Sequence, residues 1–248
     1  MKPYQERMLA DLRSMGIQKE DSLLVHSSFK SLGWQEGTPS EALEVLKEAV
    51  CDGTLMLPTL SYRTVGPEHP YFDVNETPCC VGILPETFRR QKDVYRSGCP
   101  THSIAVWGRD AREIAEAHLL DYTPVGPHSP LAALRDRKGK ILMLGCSLRS
   151  CTSMHGVEEL SIPDYLFNGS ATYTITLADG RQTVHELMSH GFAHTEQRYD
   201  RMTSILSAQE LRSGRICEAE SWLIDAQALW QKADAALREN PHAFVEIH

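Results

Sequence analysis

The run Ile141-Leu142-Met143-Leu144-Gly145 contains no polar side chain, ends at a glycine and gives way at once to the polar stretch Cys146-Ser147-Leu148-Arg149-Ser150. A run this short has the length of a strand, and because it is apolar at every position it must be buried on both faces. A strand covered on both faces demands a layer of other elements above and below it. The same pattern occurs at Leu23-Leu24-Val25, which breaks off at His26-Ser27-Ser28, and at Thr54 to Leu57.

Between these runs lie helical patterns. Met8, Leu9 and Leu12 stand at helical spacing within residues 4 to 15, and Gly16 stops that helix. Thr38-Pro39-Ser40-Glu41 is a helix start, with Thr38 as N-cap, Pro39 in the first turn and Glu41 three residues on, and the helix runs to about Val50. Strand, helix, strand in this order is the mark of a sheet with crossover helices. Residues 58 to 78 are rich in Pro, Gly, Asn, Asp and His and read as one long loop, a kind of segment that is usually functional. Gly82 to Gln91 reads as a helix, Ser103 to Trp107 as a strand, Arg109 to His118 as a helix, and Ser129 to Arg135 as a short helix capped by Ser129. A further helix begins at Cys151-Thr152-Ser153. Ala171 to Leu177 alternates like an antiparallel strand and enters a hairpin turn at Ala178-Asp179-Gly180-Arg181. Helical stretches at 197 to 210 and 221 to 238 flank a short strand near Arg215 to Cys217. The expectation is an α/β fold of three layers around a mixed central sheet, with an antiparallel hairpin in the last third.

The chain has 248 residues, 42% of them hydrophobic, enough for a sizeable core, and no low-complexity linker divides it, so a single domain over 1–248 is expected. The balance of 25 Lys+Arg against 33 Asp+Glu gives a net charge of -8, which disfavours a nucleic-acid partner and favours cationic ligands. Met1 to Gly16 has no apolar core of a leader, and no stretch reaches the roughly 18 to 20 apolar residues of a membrane span. A cytoplasmic, non-membrane protein is expected. The seven cysteines show no paired CxxC spacing, which suits free thiols in a reducing compartment.

On the helix that opens at Cys151, His155 and Glu158 stand three residues apart and share a face. Imidazole and carboxylate can then both point into the crevice beyond the strand ends. A histidine is a natural base for an amine that must lose a proton as it attacks a thioester, because its reference pKa of about 6.5 lies near working pH. Glu158 can hold the imidazole or attract an ammonium. The competing reading is a first-turn histidine that packs, with Glu158 complementing the helix dipole. His26-Ser27-Ser28-Phe29-Lys30-Ser31-Leu32-Gly33-Trp34, at the end of the first strand, offers hydroxyls, amides and a lysine to phosphate or amide groups, although it is not a P-loop and an ordinary polar turn has the same composition. The long loop carries Asp73 among Tyr62, Tyr71 and Phe72, and Glu86 follows on the next helix, so aromatic faces and carboxylates for a cationic sugar are at hand.

Taken in chain order, these pieces resemble the aminoglycoside 3-N-acetyltransferase family, also called the antibiotic N-acetyltransferase family, which is distinct in fold from the GNAT enzymes. The matching pieces are the turn at 26 to 34, Gly53 to Thr59, Tyr71 to Asp73, Thr77-Pro78 with Gly82, Pro85 to Arg90, Arg96 to Ser103, His128 to Leu131, Ile141 to Gly145 and Thr152 to Glu158. The resemblance implies an acyltransferase of the antibiotic-resistance type, moving an acetyl group from acetyl-CoA to the 3-amino group of an aminoglycoside by direct transfer in a ternary complex. It implies His155 as general base, with Glu158 in the acceptor site. It places His26, Ser27, Ser28, Lys30, Ser31, Leu32, Gly33, Thr59, Val81 and Gly82 along the cofactor, and Tyr62, Asp73 and Glu86 with Glu158 toward the acceptor. The partners it implies are CoA and a cationic small-molecule amine, with no metal, in a monomer or homodimer. Two departures stand out. Cys99 occupies the place before Pro100 where the family commonly has histidine, with His102 three residues later, and Cys151 stands where the family commonly has asparagine.

A CoA-dependent N-acyltransferase acting on a different amine or amino sugar would carry nearly the same motifs. A catalytically silent CoA-binding protein is a further reading. From another class, His185, His190 and His194 invite a metal-dependent hydrolase. His185-Glu186-Leu187-Met188-Ser189-His190 misses the H-E-x-x-H pattern by one residue, which on a helix sets His185 and His190 about 140° apart, while His190 and His194 would share a face.

Overall fold

The structure, a computed structural model, describes residues 1–192 and 194–248. Helix α1 (Pro3–Ser14) ends before Gly16, which takes the left-handed φ of 101° that breaks the helix. Strand β1 (Ser22–Ser27) follows, then a 3-10 turn over Phe29–Leu32 and helix α2 (Pro39–Ala49). The start of α2 is the capping box read from the sequence: Thr38 Oγ1 accepts from the Glu41 amide at 3.3 Å, and Glu41 Oε2 accepts from the Thr38 amide at 2.9 Å. Strand β2 (Thr54–Pro58) comes next. The segment 58 to 78 is not all loop, since β3 (Tyr71–Asp73) forms within it. Helix α3 (Ile83–Phe88) is shorter than the sequence suggests, and β4 (Val94–Arg96), invisible in the pattern, precedes β5 (Ile104–Gly108). Then come α4 (Ala111–Ala117), α5 (Pro130–Asp136), capped by Ser129 Oγ on the Ala132 amide at 3.2 Å, β6 (Lys140–Leu144) and α6 (Ser153–Ser161).

The last third departs most from expectation. Strands β7 (Phe167–Thr176) and β8 (Gln182–His190) form the hairpin, but the stretch read as a helix from 197 begins in strand β9 (Thr195–Gln197) and holds only a 3-10 turn at Tyr199–Ser204. Strands β10 (Leu211–Ile216) and β11 (Ala219–Asp225) then pair antiparallel, and only from Asp225 does helix α7 (Ala226–Glu239) begin, ahead of a final β12 (Val245–Ile247). Asp225 Oδ1 accepts from the Ala228 amide at 2.9 Å, a cap that converts the strand into the helix within one residue.

The large sheet runs β10-β11-β6-β1-β2-β5-β4. Its centre, β6-β1-β2, is parallel, and every other pairing is antiparallel. Alternate side chains of the central strands feed two separate cores: Leu24, Met56, Ile141 and Met143 face α4 to α7, whereas Leu23, Val25, Leu55, Leu142 and Leu144 face α1 to α3. That is the three-layer arrangement the uninterrupted apolar runs require. A smaller sheet, β3-β7-β8, rests on its own cluster with Phe72, Tyr173, Ile175 and Leu187 at its centre. The parallel strands β1, β2 and β6 all end at one edge, and the cleft opens there, as crossover folds place their ligand sites.

Candidate active site

The cleft has a volume of about 710 Å³, with His26, Ser27, Pro58 and Cys146 from the strand ends on its floor and Tyr62, Val81, His155, His190, Phe192 and Tyr199 around it. His155 reaches the cleft from the first turn of α6 and is 9% exposed. Behind it, Glu158 is entirely enclosed. Its Oε1 accepts from the Tyr165 hydroxyl at 2.9 Å and its Oε2 from the Tyr199 hydroxyl at 2.8 Å. The Tyr199 oxygen lies 3.0 Å from His155 Nδ1, and Glu158 Oε2 lies 3.4 Å from the same nitrogen. Because the Tyr199 proton goes to the carboxylate, the hydroxyl oxygen is left to accept, so Nδ1 carries the ring proton. The lone pair then resides on Nε2, which no group bonds among the described residues. Burial, with the Glu158 carboxylate beside them, drives the pKa of both Tyr199 and Tyr165 upward, so each hydroxyl stays a donor.

A second imidazole–carboxylate couple sits across from this one. His190 Nε2 lies 2.7 Å from Glu159 Oε1, which also accepts from the Val125 amide at 2.8 Å. Burial raises the Glu159 carboxyl to about 7 and pushes His190 well below its ordinary value, so the imidazole is uncharged and the contact is a hydrogen bond and not an ion pair. The rings of His102, His155 and His190 touch, with centroids 5.0 to 5.5 Å apart. His102, offered by the sequence three residues after Cys99, therefore stands in the cleft, while Cys99 is buried with its thiol toward the Pro124 carbonyl. Burial alone pushes the Cys146 thiol up to about 12, so it is no thiolate nucleophile.

The structure sorts the residues singled out in the sequence. His26, Ser27, Tyr62, Val81 and His155 line the cleft. Ser27 Oγ is enclosed and has no hydrogen-bond partner. Ser28 and Ser31 bond each other at 2.9 Å and tie the turn to the Gly145 carbonyl, Leu32 is buried, and Lys30 and Gly33 are exposed beyond the cleft wall. A Cβ on Gly145 would come within 2.4 Å of the Ser31 Cβ, which is why the strand must end in glycine there. Thr59 is sealed against Ser103, and Gly82 opens α3 at φ 127°. Asp73 caps its own turn through the Asn75 and Glu76 amides. Glu86 is spent on Arg89, Arg90 and the Cys79 amide; burial raises its pKa, but these donors outweigh that and hold it at about 2. Glu158 lies behind His155 and not on the wall. The three acids expected to gather around an acceptor are thus not brought together in the cleft.

The histidines of the hydrolase reading lie on a strand instead of a helix. Five residues apart on β8, His185 and His190 point to opposite faces: His185 stacks on Tyr122 and bonds the Asp121 carbonyl, and only His190 reaches the cleft. His194 sits beyond β8 at φ 55°. Among the described residues no group of three His, Cys, Asp or Glu is arranged to hold a metal ion. Sequence reasoning missed Tyr199, Tyr165, Phe192, Arg63 and Arg149 of this region, because none lies in a motif. Only the fold, which swings the segment after β8 over the end of α6, brings Tyr199 to His155.

Residues 24–238 match the family model described as aminoglycoside 3-N-acetyltransferase. The chain belongs to this family. An aminoglycoside N(3)-acetyltransferase III of Pseudomonas aeruginosa is 30% identical over 254 residues, covering 92% of this chain and 91% of the relative. A prophage-derived aminoglycoside N(3')-acetyltransferase-like protein of Bacillus subtilis is 30% identical over 62% of this chain, and the aligned part spans 63% of that relative. Among solved structures, the apoenzyme of aminoglycoside acetyltransferase AAC(3)-IVa superposes with a TM-score of 0.80 at 26% identity, covering 97% of this chain and 90% of that one. The AAC-IIIb binary complex with CoASH superposes at 0.82 and 25% identity, covering 95% and 96%.

Proposed function

We propose that this protein transfers an acetyl group from acetyl-CoA to an amine, with His155 as general base. The observation that carries the reading is the fixed tautomer of His155: Tyr199, itself committed to Glu158, accepts the Nδ1 proton and leaves the Nε2 lone pair for the cleft. In a direct transfer the acceptor nitrogen attacks the thioester carbon and its proton moves to Nε2. The C–S bond breaks, and the thiolate takes the proton back from the imidazolium. Glu158, with two tyrosine donors, steadies the transient positive charge. The strand end at His26 and Ser27 and the segment at Val81, both in the cleft lining, suit the amide-bearing arm of CoA. The CoASH complex of the AAC-IIIb structure supports the donor.

The names of the relatives make the 3-amino group of an aminoglycoside the first acceptor to try, and a neighbouring AAC(3)-IVa structure was solved with gentamicin. A different amine is the second reading, favoured by the placement of Asp73, Glu86 and Glu158 away from the cleft wall. The test is thiol release from acetyl-CoA with purified protein and a panel of amines. With any amine that serves, His155→Ala lowers kcat by a factor on the order of 10² to 10⁴. An unchanged rate in that variant removes His155 from the mechanism.

A further inference from the structure

The second imidazole–carboxylate couple of the cleft wall is left idle by direct transfer through His155. His190, at the end of β8, and Glu159, on α6 next to Glu158, have side chains only 3% and 5% exposed, and His190 Nε2 lies 2.7 Å from Glu159 Oε1. That oxygen also accepts from the Val125 amide at 2.8 Å. With the carboxylate ionised, Nε2 must therefore donate, and the lone pair of the ring lies on Nδ1. Nδ1 is enclosed and bonds nothing among the described residues, although its side chain lines the cleft; a buried polar atom left over in this way calls for a role. The His190 ring centroid is 5.3 Å from that of His155 and 5.0 Å from that of His102, which sets the couple directly beside the proposed base.

An aliphatic amine like that of lysine, with a reference pKa of about 10.4, is an ammonium at pH 7 and must shed two protons to become an amide. His155 Nε2 has one lone pair and takes one of them. Resting on the acyl-transfer reading above, we infer that His190 and Glu159 take the first proton of an ammonium acceptor, leaving His155 to take the second as the nitrogen attacks. The ammonium N–H bond breaks as an N–H bond forms at His190 Nδ1, and the Nε2 proton passes to Glu159 Oε1. The imidazole changes tautomer and stays uncharged, and a buried carboxylate becomes a neutral acid, which burial favours. Burial raises that carboxyl to about 7, so it can hold the proton near neutral pH. Until then its charge attracts a cationic acceptor. Overall an ammonium and a thioester give an amide, a thiol and one proton, and the couple yields that proton to solvent once the amide leaves. The groups around the couple do not compete for it. From α6 there is His155, from β7 the apolar Phe167 ring, and from the segment before β5 His102 and Cys99, which burial keeps uncharged. Asp121, ahead of α5, is bonded by the His128 amide and by His128 Nδ1 at 2.8 Å.

Kanamycin is the probe, with glucosamine in its place if kanamycin releases no thiol. Thiol release at saturating acetyl-CoA gives kcat/KM for the amine from pH 6.5 to 9.5 in the natural protein and in two variants. Glu159→Gln fills the same space but takes up no proton, and His190→Gln can still donate to Glu159 but relays nothing. Near pH 7 both should fall below the natural protein by about threefold to tenfold, because each pH unit below the pKa of an amine cuts its free form tenfold. As pH rises and the amine sheds its own proton, the ratio should return to one, with the KM of acetyl-CoA unchanged throughout. A ratio that stays constant with pH, as a purely structural role would give, or no loss near pH 7 overturns the inference; where one variant fails to fold, the other decides. Failure of the transfer reading looks different: no thiol appears with either amine, or His155→Ala keeps the full rate at every pH.

Discussion

The Tyr199 hydroxyl serves two partners at once, donating to Glu158 and accepting from His155. Tyr199→Phe keeps the ring and deletes both bonds. A buried carboxylate oxygen then loses its donor, at about 1 to 3 kcal/mol of stability, and Nδ1 loses the partner that fixes its proton. The expected outcome is a drop in kcat of about one to two orders of magnitude, smaller than for His155→Ala, with the KM of acetyl-CoA unchanged. Steady-state kinetics on both variants decides it, and a KM effect without a kcat effect would make Tyr199 a wall residue only. Glu159 makes a contrasting prediction. Burial raises its carboxyl from 4.5 to about 7. Below the lower value both folded and unfolded chains hold the proton; between the two values only the folded chain does, so folding weakens as pH rises, by at most about 3 kcal/mol. Urea midpoints of Glu159→Gln relative to the natural protein should therefore rise from pH 4.5 to about 7 and level off above it. A flat difference would show that the carboxyl titrates normally. At this scale the sequence was a partial guide. His155 and Glu158 were legible because helical spacing fixes their shared face, but which side of that face the acid occupies depends on Tyr165 and Tyr199, which arrive from distant segments.

Helix α6 carries His155, the proposed base, and its position is set by α7. Gly156, next to His155, lies so close to the Trp230 ring that a Cβ there would meet Cη2 at 2.2 Å and Val125 Cγ1 at 2.8 Å. Trp230 is anchored by its Nε1 donating to Ser153 Oγ at 2.8 Å, so it cannot yield without breaking a buried bond. Gly156→Ala should destabilise the fold by about 1 to 3 kcal/mol, the usual cost of overpacking, and shift His155, the proposed base, outward enough to lower kcat. Thermal unfolding together with kcat tests this, and a variant with natural stability and rate would show that the two helices part freely. Elements with one-sided or uninterrupted patterns, α1, α2, β1, β2 and β6, were readable in the sequence because their burial is dictated by composition. The β10-β11 hairpin was not. Its turn uses Cys217 at φ 53° instead of an Asn-Gly signal, and β11 passes into α7 without a break in apolar content. Strand β8 was weighed at helical spacing because its histidines drew attention, and only its pairing with β7 fixes the period as two.

For the molecule as a whole, the charge count pointed toward a cationic ligand, yet charge matters by location, and the acids near the site are tied to arginines or sealed from the cleft. The response to acid is likewise set by which groups are buried. Burial holds His26 at about 3 and His118 at about 4, and it keeps His102 and His190 well below the ordinary 6.5. Each of these imidazoles is uncharged in the folded chain, while the unfolded chain protonates it from about pH 6.5 downward. Folding stability is therefore full above that value and is lost as pH falls toward 4. Between 4.5 and 6.5 the four histidines oppose the single Glu159, leaving about three protons taken up on unfolding, or at most about 4 kcal/mol per pH unit. His118 isolates one share of this. It lies outside the cleft lining, between Ser97 Oγ at 2.9 Å and the Pro124 carbonyl at 3.0 Å. In His118→Gln, one titrating group is gone while an amide can still reach the same two partners. Denaturant unfolding across pH 4.5 to 6.5 should show its slope reduced by one proton, about 1.4 kcal/mol per pH unit. If the slope of the variant matches that of the natural chain, His118 already carries its proton in the folded state, and the acid response must come from groups nearer the cleft.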